Sequence, residues 1–172
     1  MRIEVTRCAD VPAAEWERLE EIAEGEFGGY TIVRETAWAQ PDWCYRAFDG
    51  AELVVFHNIV LRTVRVDGKD ARAAGLSNMI TLPAFRGRGA ASRLLRETQP
   101  RWFDDLQAEL GVLLCADALV AFYDKLGWRK LDARVTYDQP AGRKIWPANC
   151  MVLDPKGLLG APREVDLCGL PW

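Results

Sequence analysis

Apolar and polar residues alternate over residues 3–6, which predicts a short, half-buried first strand. Trp16, Leu19, Ile22 and Ala23 then recur at helical spacing through Glu24, with Asp10 placed to cap the helix and Pro12 near its first turn. Residues 25–40 mix glycines with Tyr30, Arg34, Glu35 and Trp38, and predict a loop with a short helical piece. Three β-rich runs follow at 43–48, 52–66 and 70–82, separated by Asp49-Gly50 and Asp67-Gly68. Such Asx-Gly steps are hairpin signals, so the runs read as an antiparallel meander with a long, bent or bulged middle strand. A helix is predicted over 92–110 on Leu94, Leu95, Trp102, Phe103 and Leu106, kinked or broken at Pro100 and ended by Gly111. The wholly apolar run 112–115 suits a buried parallel strand, completing a right-handed βαβ crossover. A short helix over 119–126 ends at Gly127, and 129–137 and 148–153 read as two further strands. The expected fold is α/β (α+β): one domain over 1–172, a mixed, mostly antiparallel sheet of six or seven strands, helices on both faces.

Composition narrows the function classes. No apolar run approaches the ~20 residues that span a bilayer, and MRIEVTRCAD has no signal-peptide core, so a cytoplasmic protein without membrane contact is expected. A net charge of −3 argues against bulk binding to nucleic acid. The five cysteines form no CxxC, and the single His57 gives no zinc spacing, so they read as free, mostly buried thiols and no metal is expected. Acids at 15, 17, 20, 21, 24 and 26 make one face of the first helix charged. Solvation is the preferred reading of that face, and a rim that attracts an amine is the alternative.

The chemistry-bearing stretch is 76–95. An apolar strand turns at Pro83 and presents Arg86-Gly87-Arg88-Gly89-Ala90-Ala91 before a helix. Free backbone N–H groups and the helix dipole make such a turn an anion site, and glycines let the backbone approach closely. It is neither a Walker loop nor GxGxxG. A purely structural turn and an RG-type nucleic-acid contact remain as alternatives.

The order L-P-x-x-R-G-x-G-x-A, then a βαβ unit, then A-F-Y-x-x-L-G-W resembles the GNAT superfamily of acetyl-CoA-dependent N-acyltransferases, over roughly residues 42–153. The resemblance implies that backbone groups of Met79, Ile80, Thr81 and Leu82 bind the pantetheine arm. It implies that the pyrophosphate sits on the N–H groups of Arg86, Gly87, Arg88, Gly89, Ala90 and Ala91, with the Ser92 hydroxyl and the Arg86 and Arg88 guanidinia nearby. Tyr123 matches the family's acid for the departing thiolate, and the Ile80 N–H is the expected oxyanion donor. The strand acid that many members use as a base is missing. Water held by Ser77 and Asn78, Glu35, Asp117 and the chain's terminal carboxylate are the candidates. Ala116 stands where the family often has an asparagine.

A narrower resemblance, to aminoglycoside 2′-N-acetyltransferases, rests on Asp42-Trp43, R-x-V-R-V-D-G and a final Cys168–Trp172 segment. It implies that the tail, 155–172, lines the acceptor pocket through Trp172 with Asp166. The expected activity is acetyl transfer from acetyl-CoA to a small-molecule primary amine by direct attack, with a homodimer possible. A GNAT-fold CoA sensor without transfer is the rival reading.

Overall fold

In a computed structural model, which describes residues 1–172, the elements run β1 (Arg2–Arg7), α1 (Ala13–Phe27), α2 (Thr31–Glu35), β2 (Trp43–Asp49), β3 (Glu52–Val66), β4 (Lys69–Thr81) and α3 (Ala90–Asp104). They continue β5 (Leu110–Cys115), α4 (Asp117–Asp124), β6 (Arg129–Lys130), β7 (Arg134–Tyr137), β8 (Lys144–Ile145), β9 (Asn149–Leu153) and β10 (Glu164–Asp166). One ten-stranded sheet runs through the chain. Its main body is ordered β1-β2-β3-β4-β5-β9-β6, and the far end of β3 carries β10, β7 and β8. Only β4–β5 and β10–β7 are parallel. The fold is therefore the mixed, mostly antiparallel α/β arrangement expected, with more strands than the six or seven read from the sequence. No helix is long and apolar enough to cross a membrane.

The extra strands and shifted ends have physical causes. The run 129–137 is broken after Leu131: its N–H still donates to the Cys150 carbonyl as a last rung on β9, and from Arg134 the chain pairs with β10 and β8 at the opposite end of the sheet. β8 and β10 are two- and three-residue pieces, β8 paired with the neighbouring β7 and β10 with the distant β3, and both are too short for a periodic signal. α3 continues through Pro100 and stops at Asp104, ahead of a left-handed turn at Gln107, so residue 110 is strand. Gly111 does not terminate a helix. It lies inside β5, where an added Cβ would stand 3.0 Å from the Trp128 ring and from Leu153 Cβ.

Strand alternation divides the core. One face sets Tyr45, Ile59, Ala74, Leu76 and Leu113 against α3 (Leu95, Trp102) and α4 (Tyr123). The other sets Cys44, Phe56 and Ile80 against Leu19 of α1. That same side sets Val60, Ala73 and Val112 against Val165, Leu167 and Trp172 of the tail. Trp172 is buried over Gly75, and its indole N–H donates to the Val112 carbonyl at 3.2 Å. The Arg62 guanidinium, 5.6 Å from the Trp172 ring centre, donates to the Leu170 carbonyl at 2.7 Å. The tail is thus part of the sheet's covering.

A Cβ at Gly75 would overlap the Trp172 indole. Gly75→Ala should therefore lower stability by about 1–3 kcal/mol, the usual range for overpacking. In a Trp172→Ala background the same change should cost much less. Denaturant melts of the four proteins of this cycle give the coupling, and equal penalties in both backgrounds would remove Trp172 as the cause.

Candidate active site

Between β3 and β4 the register slips, from Phe56↔Ile80 to Asn58↔Ser77. Asn78 and Met79 therefore stand opposite the single residue His57, and Asn78 takes a left-handed φ of 48°. This is a β-bulge, with asparagine tolerating the turn better than a branched residue would. The parallel ladder between β4 and β5 ends at Leu76↔Leu113. Beyond it β4 stays with β3 and β5 stays with β9, so the two strands separate.

The Leu82 N–H donates to the Val54 carbonyl at 2.9 Å, and the Leu82 carbonyl accepts from the Phe85 N–H. Antiparallel ladders alternate, so the Ile80–Phe56 pair also turns its groups toward each other, and Met79 and Thr81 turn theirs to the split. Two expectations change as a result. Ile80 has its N–H committed to β3, and Leu82 has neither backbone group free for a pantetheine arm. The N–H that faces the split beside the bulge is that of Met79.

A cavity of about 1200 Å³ passes through the split. Tyr123, Cys115 and Leu113 line it from the α4 side, Ser77, Asn78 and Met79 from β4, and Trp172 from the tail. From α1 come Glu17, Glu20, Glu21, Glu24 and Glu26, and no lysine, arginine or histidine is among the lining residues. The acidic face set down as solvated is exposed to solvent as expected, and it also forms the open rim of the cavity.

The turn before α3 lies beyond the cavity. Gly87 and Gly89 have φ of 73° and 75°, and a Cβ at either would meet nothing within 4 Å. The N-cap of α3 is Gly89, with no side-chain cap. None of the N–H groups from Gly87 to Ser92 donates a hydrogen bond to the rest of the chain. A side-chain cap is typically worth about 1 kcal/mol, so the helix forgoes one here and leaves an open anion cradle. Arg88 stands free of any carboxylate, 6.0 Å from the Phe85 ring. Arg86 is engaged elsewhere, donating to Glu26 at 2.6 Å and to the Thr81 carbonyl at 3.0 Å. Its side chain ties the turn to α1 rather than reaching over the cradle.

Tyr123 is buried, and its hydroxyl makes no hydrogen bond within the protein. Burial first, and the neighbouring Cys115 second, push its pKa above the usual phenol value. Burial also pushes Cys115 up to about 11. The other four thiols are raised as well, so no cysteine is poised as a thiolate.

Two of the base candidates lie away from the cavity wall. Glu35 ends α2 with its side chain exposed. Asp117 accepts from Asn149 Nδ2 at 2.8 Å, across a separate groove. Asp166 is bound to Arg143 at 2.9 Å and to the Cys168 N–H. Asn58, missed in the sequence, lines the cavity at 2% exposure, and its amide has no hydrogen-bond partner in the protein. Nothing in its local pattern distinguishes it from a strand residue facing solvent.

A family model described as an acetyltransferase (GNAT) domain matches residues 12–131. The chain belongs to the GNAT acetyltransferase family. The matched residues make up most of the chain and carry that family's acetyltransferase domain. Among solved structures the chain is similar to Escherichia coli ElaA (12% identity, TM-score 0.61, 90% of this chain and 100% of that one). It is also similar to E. coli YhbS in complex with CoA (19%, TM-score 0.56, 96% and 88%). Against a Kribbella flavida GCN5-related N-acetyltransferase (19%, TM-score 0.54) it covers 75% of itself but spans only about a third, 34%, of that chain. At these identities the likeness is one of fold. No curated protein matches the sequence. None of these relatives bears on the narrower resemblance to aminoglycoside 2′-N-acetyltransferases.

His57 is the GNAT domain's one histidine, fully buried under α3. It stacks on Tyr45 at 4.7 Å and lies 3.2 Å from Thr98 Oγ1. Thr98 donates its proton to the Leu94 carbonyl, so His57 Nε2 carries the hydrogen. Burial lowers its pKa from 6.5 to about 3, and it serves the core. The folded value lies below the unfolded one, so the unfolded chain binds the extra proton between them. Stability should fall with the slope of one proton as pH drops from 6.5 toward 3. NMR should show the imidazole unprotonated down to pH 5, and a titration near 6.5 would contradict its burial.

Proposed function

We propose that this GNAT domain transfers an acetyl group from acetyl-CoA to a primary amine of a small molecule, by direct attack and without an acyl-enzyme. The observation that carries the reading is the cavity through the split, with Tyr123 on one side and an acidic wall without basic residues on the other. The residues fit a CoA thioester. The N–H groups from Gly87 to Ser92 and the Arg88 guanidinium face diphosphate chemistry at a helix N-terminus. Met79 and the N–H of Thr81 offer strand-edge groups to the amide-bearing arm, in place of Ile80 and Leu82, while the Thr81 carbonyl already accepts from Arg86.

Chemistry at the split follows from charge. The amine attacks with a free lone pair, so it first gives up a proton, to water held by Ser77 and Asn78 on the cavity wall. The new N–C bond places negative charge on the thioester oxygen, and the Met79 N–H is the donor aimed there. As the C–S bond breaks, the nitrogen sheds its second proton to water, and Tyr123 gives its proton to sulfur and recovers one from solvent. A phenol with a raised pKa stays protonated and ready for that step. Direct transfer is favoured because Cys115, the thiol on the cavity wall, is held protonated by its burial.

Thiol release from acetyl-CoA across a panel of primary amines tests the activity, and no release with any amine would leave a CoA-binding module. Tyr123→Phe should lower kcat roughly 10- to 100-fold, within the range of general acid catalysis. The KM for acetyl-CoA should change little, and an unchanged kcat would remove Tyr123 as the acid.

A further inference from the structure

We propose that the acceptor carries at least two positive charges: the reactive amine at the split, and a second cationic group that stays charged and is held by the glutamates of α1. This rests on the acyl-transfer reading of the same cavity and narrows its substrate class. The reactive amine must lose its charge before it attacks. A wall of carboxylates is of no use to a neutral nitrogen, so the wall serves a group that remains cationic throughout.

The helix itself argues for such a ligand. Glu17, Glu20, Glu21 and Glu24 stand three and four residues apart, the spacings at which like charges on a helix repel. Glu24 and Glu26 lie in the last turn, where the dipole disfavours acids; Arg86 offsets Glu26, and no cation offsets Glu24. Some acids elsewhere are matched, Glu97 by Arg93, Asp105 by Arg101 and Asp70 by Arg65, while others such as Glu52, Asp104 and Asp132 stand singly without a cation. On α1, Glu15 pairs with Arg46 and Glu26 with Arg86, while Glu17, Glu21 and Glu24 have no cation within 4.0 Å. A bound cation relieves the local repulsion. Trp16, Phe27 and Trp38 on the same wall add ring faces to which a cation is also attracted.

An independent observation marks the other end. The Asn58 amide, across from Ser77 on β3, is 98% buried against the cavity and unpartnered. With neither amide atom committed, its oxygen can turn to an N–H donor at no cost in protein hydrogen bonds. The acceptor is then gripped at two places, by Asn58 near the split and by α1. The unmatched acids run from Glu17 to Glu24, about 10 Å along the helix axis.

The test uses matched acceptors with acetyl-CoA: 1,4-diaminobutane against butylamine, and 1,8-diaminooctane against octylamine, at two ionic strengths. At least one diamine should exceed its monoamine partner by roughly tenfold or more in kcat/KM, through KM, and the advantage should shrink in high salt. The double variant Glu21→Gln/Glu24→Gln should bring that ratio toward one and raise the melting temperature of the free protein. A variant that is more stable yet less selective separates recognition from misfolding. Equal use of diamines and monoamines, or a ratio the double variant leaves unchanged, overturns the proposal and leaves acyl transfer standing. If no amine releases thiol, acyl transfer fails instead, and calorimetry decides the inference. Tighter binding of a diamine than of its monoamine supports it, and equal binding overturns it.

Discussion

The extra residue that Asn78 inserts into β4 governs the rest of the site. A strand can ladder with two neighbours only while all three keep step. Once β4 has taken one residue more than β3 can match, its later residues present the opposite alternation of groups. Met79 and Thr81 then face a neighbour that has already left, because β5 is laddered to β9 up to Cys115. The cavity, the orientation of the Met79 N–H and the room for α1 above the split all follow from that slip. Gly75 and Trp172 support it one step below, where the indole covers the last paired stretch of β4 and β5.

The two ends of the site are built by different means. The donor end is nearly all backbone: uncapped N–H groups at the start of α3 and strand-edge groups on β4. Such groups depend on conformation, so they show in a sequence as glycines and turns. The proposed acceptor end is made of side chains brought from α1, β3, the α2–β2 loop and the tail. Those are separated by up to 156 positions, Trp16 to Trp172, and no short motif spans them.

This difference explains what the sequence made legible. Asp49-Gly50 and Asp67-Gly68 placed the meander to within a residue, since their turns are local. The glycine turn and Tyr123 were visible for the same reason. Gly111 was misread because one residue type serves two purposes, ending helices and making room for a large ring, and only Trp128 decides between them. Residues 129–137 look continuous because nothing local marks where the chain leaves β9 to pair with β10 and β8. Ile80 was assigned the wrong direction because alternation depends on where the bulge falls, and Asn78 carries no sign of it in its neighbours. The acids of α1 were read as a solvated face and are exposed, but that they rim the cavity depends on where α1 packs, which their spacing does not tell.

Tyr123 has a wider consequence. Its phenol is held protonated, the thiols are held protonated and the one histidine is held neutral. None of these groups changes charge near neutrality. For the proposed transfer to an amine, the working range would then be set from outside, by how readily the acceptor surrenders a proton: weakly basic acceptors would be served at lower pH than strongly basic ones by the same unaltered cleft.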